Sequence, residues 1–203
     1  MPEKPSEPPP EQGAQPATPE SPSEPVAPPP PRKEYRPWVN AEPLRAEFFY
    51  DPVSRRKIRA QMLEVVQQEG PVYESVLKKR IVRAWGFNRT GENIQSVLNA
   101  CLPETLEHSR YGGNRVFWPE GVAAESYREY RVPADENSRR AIDEIPPEEL
   151  ANAMHEILTD FGSCERDTLY RETLRLFGLS TVTNKARRFL EIAEKVLVQT
   201  ERV

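Results

Sequence analysis

The sequence predicts a mainly α-helical fold: two tandem helix-turn-helix units, the first with a small β-hairpin wing, behind a disordered Pro-rich tail. Three observations predict it. The same apolar skeleton occurs twice, 92 residues apart and without gaps: Ile58, Met62, Val65 and Val66 recur as Leu150, Met154, Ile157 and Leu158. Gly70 recurs as Gly162, Leu77 as Leu169, and Trp85-Gly86-Phe87 as Phe177-Gly178-Leu179. A repeat of this kind decides the architecture before any local reading does. Next, only the first copy is followed by Gly112-Gly113-Asn114 between two short strand-like runs, which signals a hairpin. Finally, residues 1–37 hold 14 of the 22 prolines and almost no large apolar side chains. Such a segment cannot bury enough surface to offset the entropy of ordering it.

Taken in order, the tail (1–37) reads as a solvated tether or as a polyproline ligand ending in Pro28-Pro29-Pro30-Pro31. A lead-in segment (38–53) follows, then the first unit (54–120). Its first helix spans Ser54–Glu69, with Ile58, Met62, Val65 and Val66 on one stripe, and Gly70-Pro71 stops it. The second helix is expected over 75–85, with Leu77, Ile81 and Ala84 inward and Lys78, Lys79 and Arg83 outward. Gly86 ends it. Thr90 reads as the N-cap of a third helix whose inner face is Ile94, Val97, Leu98 and Cys101, closed by Pro103. The hairpin then completes the winged layout.

A connector (121–145) rich in carboxylates reads as a solvated link. The second unit (146–203) opens on Pro146-Pro147-Glu148-Glu149, a suitable helix start. Its last helix places Ala186, Phe189, Leu190 and Ala193 inward, with Asn184, Arg187, Arg188 and Lys195 outward or flanking. No Gly-rich turn follows, so the wing is expected to be missing or reduced to one strand over 196–198. The net charge of −4 conceals a division. Residues 54–118 hold 11 Lys plus Arg against 6 Glu, and residues 119–203 hold 12 against 17 acids. The basic half suits a polyanionic partner.

Several chemistries are set aside. Gly86 to Gly91 has a phosphate-loop-like glycine spacing but lacks the Lys and Ser/Thr that would touch phosphate and magnesium. His108 and His155 lie in different units without a second ligand at metal spacing, and Cys101 and Cys164 are isolated. No nucleophile, base and orienting group recur at a motif spacing. The expectation is a chain without catalysis, cofactor, metal or small-molecule substrate. With no apolar run of membrane-spanning length it is also expected to have no membrane partner, and the isolated cysteines make a reducing cytoplasm the expected location.

Nucleic-acid binding is the sharper expectation. In a helix-turn-helix the last helix enters the major groove while nearby cations hold phosphates. The residues expected to do so are Lys78, Lys79, Arg83, Arg89, Asn93, Arg110 and Arg115 in the first unit, and Arg187 and Arg188 in the second. Asn93 can pair with an adenine edge, whereas Glu92 opposes phosphate. Trp85, Phe87, Trp118 and Phe177 read as core side chains rather than stacking platforms.

A family resemblance adds to this reading. Phe49-Tyr50-Asp51-Pro52, then Val65-Val66 through Glu69-Gly70-Pro71-Val72, then Arg80-Ile81 through Ala84-Trp85-Gly86-Phe87 and Arg89-Thr90-Gly91 follow in order. This succession resembles a domain of unknown function at the C-terminus of large bacterial superfamily-1 helicase-like proteins, some of which also carry a nuclease-like domain. Ile145 to Leu150 and Phe177-Gly178-Leu179 are similar to that family's closing segment. The resemblance covers roughly 38–203. It implies an accessory role beside a DNA- or RNA-handling helicase-like or nuclease-like protein, with no catalytic residues to carry over. The helicase body itself is missing, which suggests a free-standing form or the end of a split system. The alternatives are a protein-interaction adaptor and a stand-alone transcription regulator; the latter would need a dimerisation helix that the sequence does not offer.

Overall fold

Ordered backbone begins inside the segment expected to be tail. The computed structural model describes residues 31–200, and β1 (Arg32–Tyr35) is its first element. The expected disorder of the preceding residues lies outside the described residues. The lead-in crosses the surface of the first core, burying Trp38 and Phe49. Then α1 (Ser54–Glu69) buries all four residues of its predicted stripe. A two-residue strand, β2 (Val72–Tyr73), leads into α2 (Glu74–Ala84), and α3 (Glu92–Cys101) follows. Thr90 is not the cap of α3. Gly91 takes that position with extended backbone and no side-chain bond, so the turn runs one residue further than the hydroxyl suggested.

The hairpin forms where Gly-Gly predicts it. β3 (His108–Tyr111) and β4 (Asn114–Phe117) are joined by Gly112 and Gly113, with φ of 55° and 86°. Two consecutive positive φ angles are what a two-residue loop matching strand twist requires. β4 also pairs with β2, Val72 opposite Phe117 and Tyr73 opposite Val116, giving a three-stranded sheet in the order β2-β4-β3.

Past the hairpin, β5 (Tyr130–Pro133) runs parallel to β1, with Arg32 opposite Tyr130. The stretch expected as a solvated acidic connector is therefore part of the packed structure. Tyr130, Arg131, Ser138 and Arg140 in it are all buried. Three helices complete the chain: α4 (Pro147–Phe161), α5 (Arg166–Leu176) and α6 (Asn184–Gln199). Residues 196–198, expected as a remnant strand, belong to α6. Val196 and Leu197 pack inward at helical spacing and extend the core in place of a hairpin. Thr183 caps α6, its hydroxyl accepting from the Ala186 amide. The chain is mainly α-helical, and no helix among the described residues is long and apolar enough to cross a membrane.

The repeat is visible in the helices but not in every turn and strand. α5 is α2 displaced by 92 residues, and α6 begins 92 residues after α3. Gly86 and Gly178 end equivalent helices with φ of 81° and 71°, after Trp85 and Phe177 in the same conformation. Gly70 and Gly162 are not equivalent. Gly162 has φ of 74°, while Gly70 has φ of −70°. Gly70 is required for space: an added Cβ would sit 2.5 Å from the Val66 carbonyl oxygen and 2.6 Å from the Pro119 ring.

Candidate nucleic-acid interface

The structure separates the nine expected contact residues into committed and free groups. Lys78, expected on the outer face of α2, is buried, and its ammonium donates to Glu74 and to Asn99 Oδ1 of α3. Lys79 is half-buried and paired with Glu144. Arg115 donates to Glu74 Oε2 at 2.6 Å and lies over the Phe117 ring. Burial pushes the Glu74 carboxyl up, but the hydrogen bonds from Arg115 and Lys78 outweigh it and hold it below its ordinary value. Glu144 is likewise held low by Lys79 against the effect of burial. In the second unit Arg187 pairs with Asp167 and lies over the Tyr170 ring. These four cations bind their own protein.

Five residues remain open. Arg83, Arg89, Asn93, Arg110 and Arg188 are exposed and make no ion pair or side-chain hydrogen bond among the described residues. Arg83 is the penultimate residue of α2, Arg89 lies in the turn, and Asn93 is the second residue of α3. Glu92, Asn93, Ser96 and the outer edge of Asn99 are exposed polar residues along α3. Arg110 stands opposite Arg115 across the hairpin, so the two share one face of the ladder. His108 and Phe117, two residues away, belong to that face as well. The other hairpin face turns inward: Val116 enters the core, Ser109 accepts from Trp118 Nε1, and the Tyr111 hydroxyl donates to Glu148.

The second unit is locked onto the first by buried charge that the sequence did not reveal. Glu149 is fully buried and accepts from Arg131 Nε at 3.2 Å and from Arg140 Nη1 at 2.7 Å. Arg131 also donates to the Glu69 and Pro71 carbonyl oxygens, at 2.7 and 3.0 Å, and so reaches into the first unit. The Glu69 side chain accepts from Arg80 Nε at 2.8 Å and from the Trp38 amide at 2.7 Å, and it holds the Tyr35 hydroxyl. Arg140 closes the circuit, stacked 4.2 Å above the Tyr35 ring. Burial would push the Glu149 carboxyl up; the Arg131 and Arg140 charges reverse this and hold it at about 2. Burial and the neighbouring Glu69 charge push the Tyr35 hydroxyl up to about 12, keeping it a donor.

Three further arginines, absent from the expected set, stand exposed at the start of α1: Arg55, Arg56 and Arg59. Their signal was available, because Arg-Arg-Lys-Ile-Arg opens a helix with no acidic residue in its first turn, where cations oppose the helix dipole. Among the described residues no group of three or more His, Cys, Asp or Glu is placed to hold a metal ion. Trp85, Trp118 and Phe177 are core side chains and Phe87 is half-buried against the first core.

Residues 47–96 match the family model described as a protein of unknown function (DUF3320). The match takes in α1, β2, α2 and the first half of α3, so it covers the exposed arginines of α1 and the free residues Arg83, Arg89 and Asn93. Neither the comparison with curated proteins nor that with solved structures gave a match.

Proposed function

We propose that the chain is a non-catalytic nucleic-acid-binding module of two tandem helix-turn-helix units, the first with a wing, with α3 as the helix presented to a duplex. The observation that carries this reading is the exposed polar face of α3, bordered by unpaired Arg83, Arg89 and Arg110. The order helix, strand, helix, helix, hairpin supports it, since that layout aims its third helix at the major groove. Asn93 is the residue best placed on this face to meet a base edge. Lys78, Lys79, Arg115 and Arg187 are left out of the interface because their charges are neutralised within the protein. Arg188 is a secondary contact on α6. An accessory role beside a helicase-like or nuclease-like protein in the cytoplasm is part of this proposal and rests on the sequence motifs alone.

The test is titration of the intact chain against duplex DNA, single-stranded DNA and RNA at several salt concentrations. Replacing Arg83, Arg89 and Arg110 together by Gln should flatten the log-log salt dependence by about 3, from roughly −0.9 per neutralised phosphate. Asn93→Ala should change sequence preference more than salt dependence. Absence of binding to all three at low salt would defeat the proposal.

One observation favours the adaptor reading instead. Phe48, Tyr50 and Val53 expose apolar surface within six residues, beside the buried Phe49. Retention of a protein partner after nuclease treatment, lost on Phe48→Ser together with Tyr50→Ser, would support that reading.

A further inference from the structure

The free arginines of α1 are not used by the interface as described. Cations at a helix N-terminus are disfavoured by the dipole, and α1 has no acid in its first turn to relieve them. Lys57, in the same turn, is paired with Glu42. The side chains of Arg55, Arg56 and Arg59 make no ion pair or hydrogen bond among the described residues. A positive cluster that the protein itself leaves uncompensated is suited to an external anion.

Their position identifies which anion. Arg55 and Arg59 are four residues apart and share one stripe of α1. Arg59 lines a groove of about 670 Å³, together with Asn99 of α3 and the hairpin side chains His108 and Arg115. Arg110 lies on that same hairpin face. The charges of Arg55 and Arg59 both reach the thiol of Cys101, the last residue of α3, and oppose the burial that raises it. The two arginines therefore stand beside the C-terminal end of α3, across the groove from the hairpin, while Arg83 and Arg89 precede its N-terminal end. Glu104 also lines the groove, with Arg59 and Arg115 as its basic residues.

We propose that Arg55 and Arg59 grip the phosphate backbone of a nucleic acid seated on α3, at the end of that helix opposite Arg83 and Arg89. A ten-residue helix is about 15 Å long, and the major groove is about 12 Å wide. Cations at the two ends of α3 are thus far enough apart to contact different phosphates. This assignment rests on the nucleic-acid reading above, and it makes α1 a part of the interface rather than only a core helix.

The experiment measures binding of the intact chain to a labelled duplex of about two helical turns (~20 base pairs) over a series of salt concentrations. Arg55→Gln/Arg59→Gln is compared with the wild type and with Arg83→Gln/Arg89→Gln. Each replaced group is exposed, and circular dichroism melts verify that both variants stay folded. The α1 double variant should flatten the log-log slope by about 2. Over a fourfold rise in salt, the wild type should then lose about twelvefold more affinity than the variant, at −0.9 per phosphate. If the wild type binds and this variant keeps the wild-type slope, the α1 contact is refuted and the α3 reading stands. If the wild type binds neither duplex, single strand nor RNA, both fall. Equal binding of polyglutamate, lost in the same variant, would assign the cluster to an acidic protein segment and overturn the phosphate assignment.

Discussion

Glu149 offers the most direct test of how the two halves of this chain are joined. Its carboxylate receives both Arg131 and Arg140, and the three groups are buried. In Glu149→Gln one neutral amide oxygen faces two guanidinium groups that have no other carboxylate within ion-pair distance among the described residues. Removing one partner of a buried pair costs about 3–5 kcal/mol, because the remaining charge stays desolvated. Linkage gives a similar figure independently. A carboxyl that titrates at 4.5 unfolded and about 2 folded contributes about 3 kcal/mol at neutral pH. The folded value is depressed, so this stability is present above pH 4.5 and is lost as the pH falls toward 2. The variant should lack that acid dependence. All three tryptophans, Trp38, Trp85 and Trp118, precede the second unit and are buried, while helix content is spread over both halves. In urea unfolding, fluorescence therefore reports the first half and circular dichroism reports both. Because Arg131 also holds the Glu69 and Pro71 carbonyls, both signals should shift together in Glu149→Gln. A loss below about 1 kcal/mol, the range of exposed ion pairs, or an unmoved fluorescence transition beside a shifted dichroism transition, would refute the coupling.

Three other outcomes follow from the same contacts. Lys78→Met should cost about 1–3 kcal/mol in urea unfolding, as loss of a charged hydrogen bond does, and should leave the salt dependence of nucleic-acid binding unchanged. A flattened salt slope would return Lys78 to the interface. Trp85→Ala should cost about 3–5 kcal/mol, since the indole is buried edge-on to Phe49 and donates to Gln61. Gly86→Ala should cost about 1–2 kcal/mol for its left-handed backbone. Gly178→Ala should cost more, because its Cβ would also meet Pro133 and Arg139 at 3.3 and 3.2 Å; equal costs would show that the neighbours yield freely.

The helices were readable because burial imposes a period on apolar residues. Ile58, Met62, Val65 and Val66 and their counterparts Leu150, Met154 and Ile157 are core residues by that rule alone. The hairpin was readable because Gly112-Gly113 is one of few pairs that accept two positive φ angles. β1 was not readable: its four residues end a proline-rich run, and its partner strand lies 98 residues away. Nor was the charge network, since a lone Arg or Glu in sequence reads as solvated and these partners meet only in the fold. The same default misplaced Lys78. Its helical position looked outward until Asn99 and Glu74 closed over it.

The repeat gives the charge division a physical meaning. Displacement by 92 residues aligns Arg55, Arg56 and Lys57 at the start of α1 with Pro147, Glu148 and Glu149 at the start of α4. The basic copy is exposed, with Arg55 and Arg56 unpaired among the described residues. The acidic copy is buried, Glu149 against Arg131 and Arg140, and Glu148 against Tyr111 of the hairpin. Two equivalent helix starts thus carry opposite charge and opposite burial. Acidic side chains at a helix N-terminus are favoured by the dipole, which offsets part of the cost of burying them against arginines; basic ones are disfavoured by it. The carboxylates of α4 do not form a second, repelling face toward a polyanion, because they are consumed in holding α4 to the hairpin and to β5. The surplus positive charge of residues 54–118 is left outside that junction, at Arg55, Arg56, Arg59, Arg83, Arg89 and Arg110. A net charge of −4 is therefore compatible with a local anion-binding surface. The difference in exposed charge between the copies follows from which helix start is turned inward.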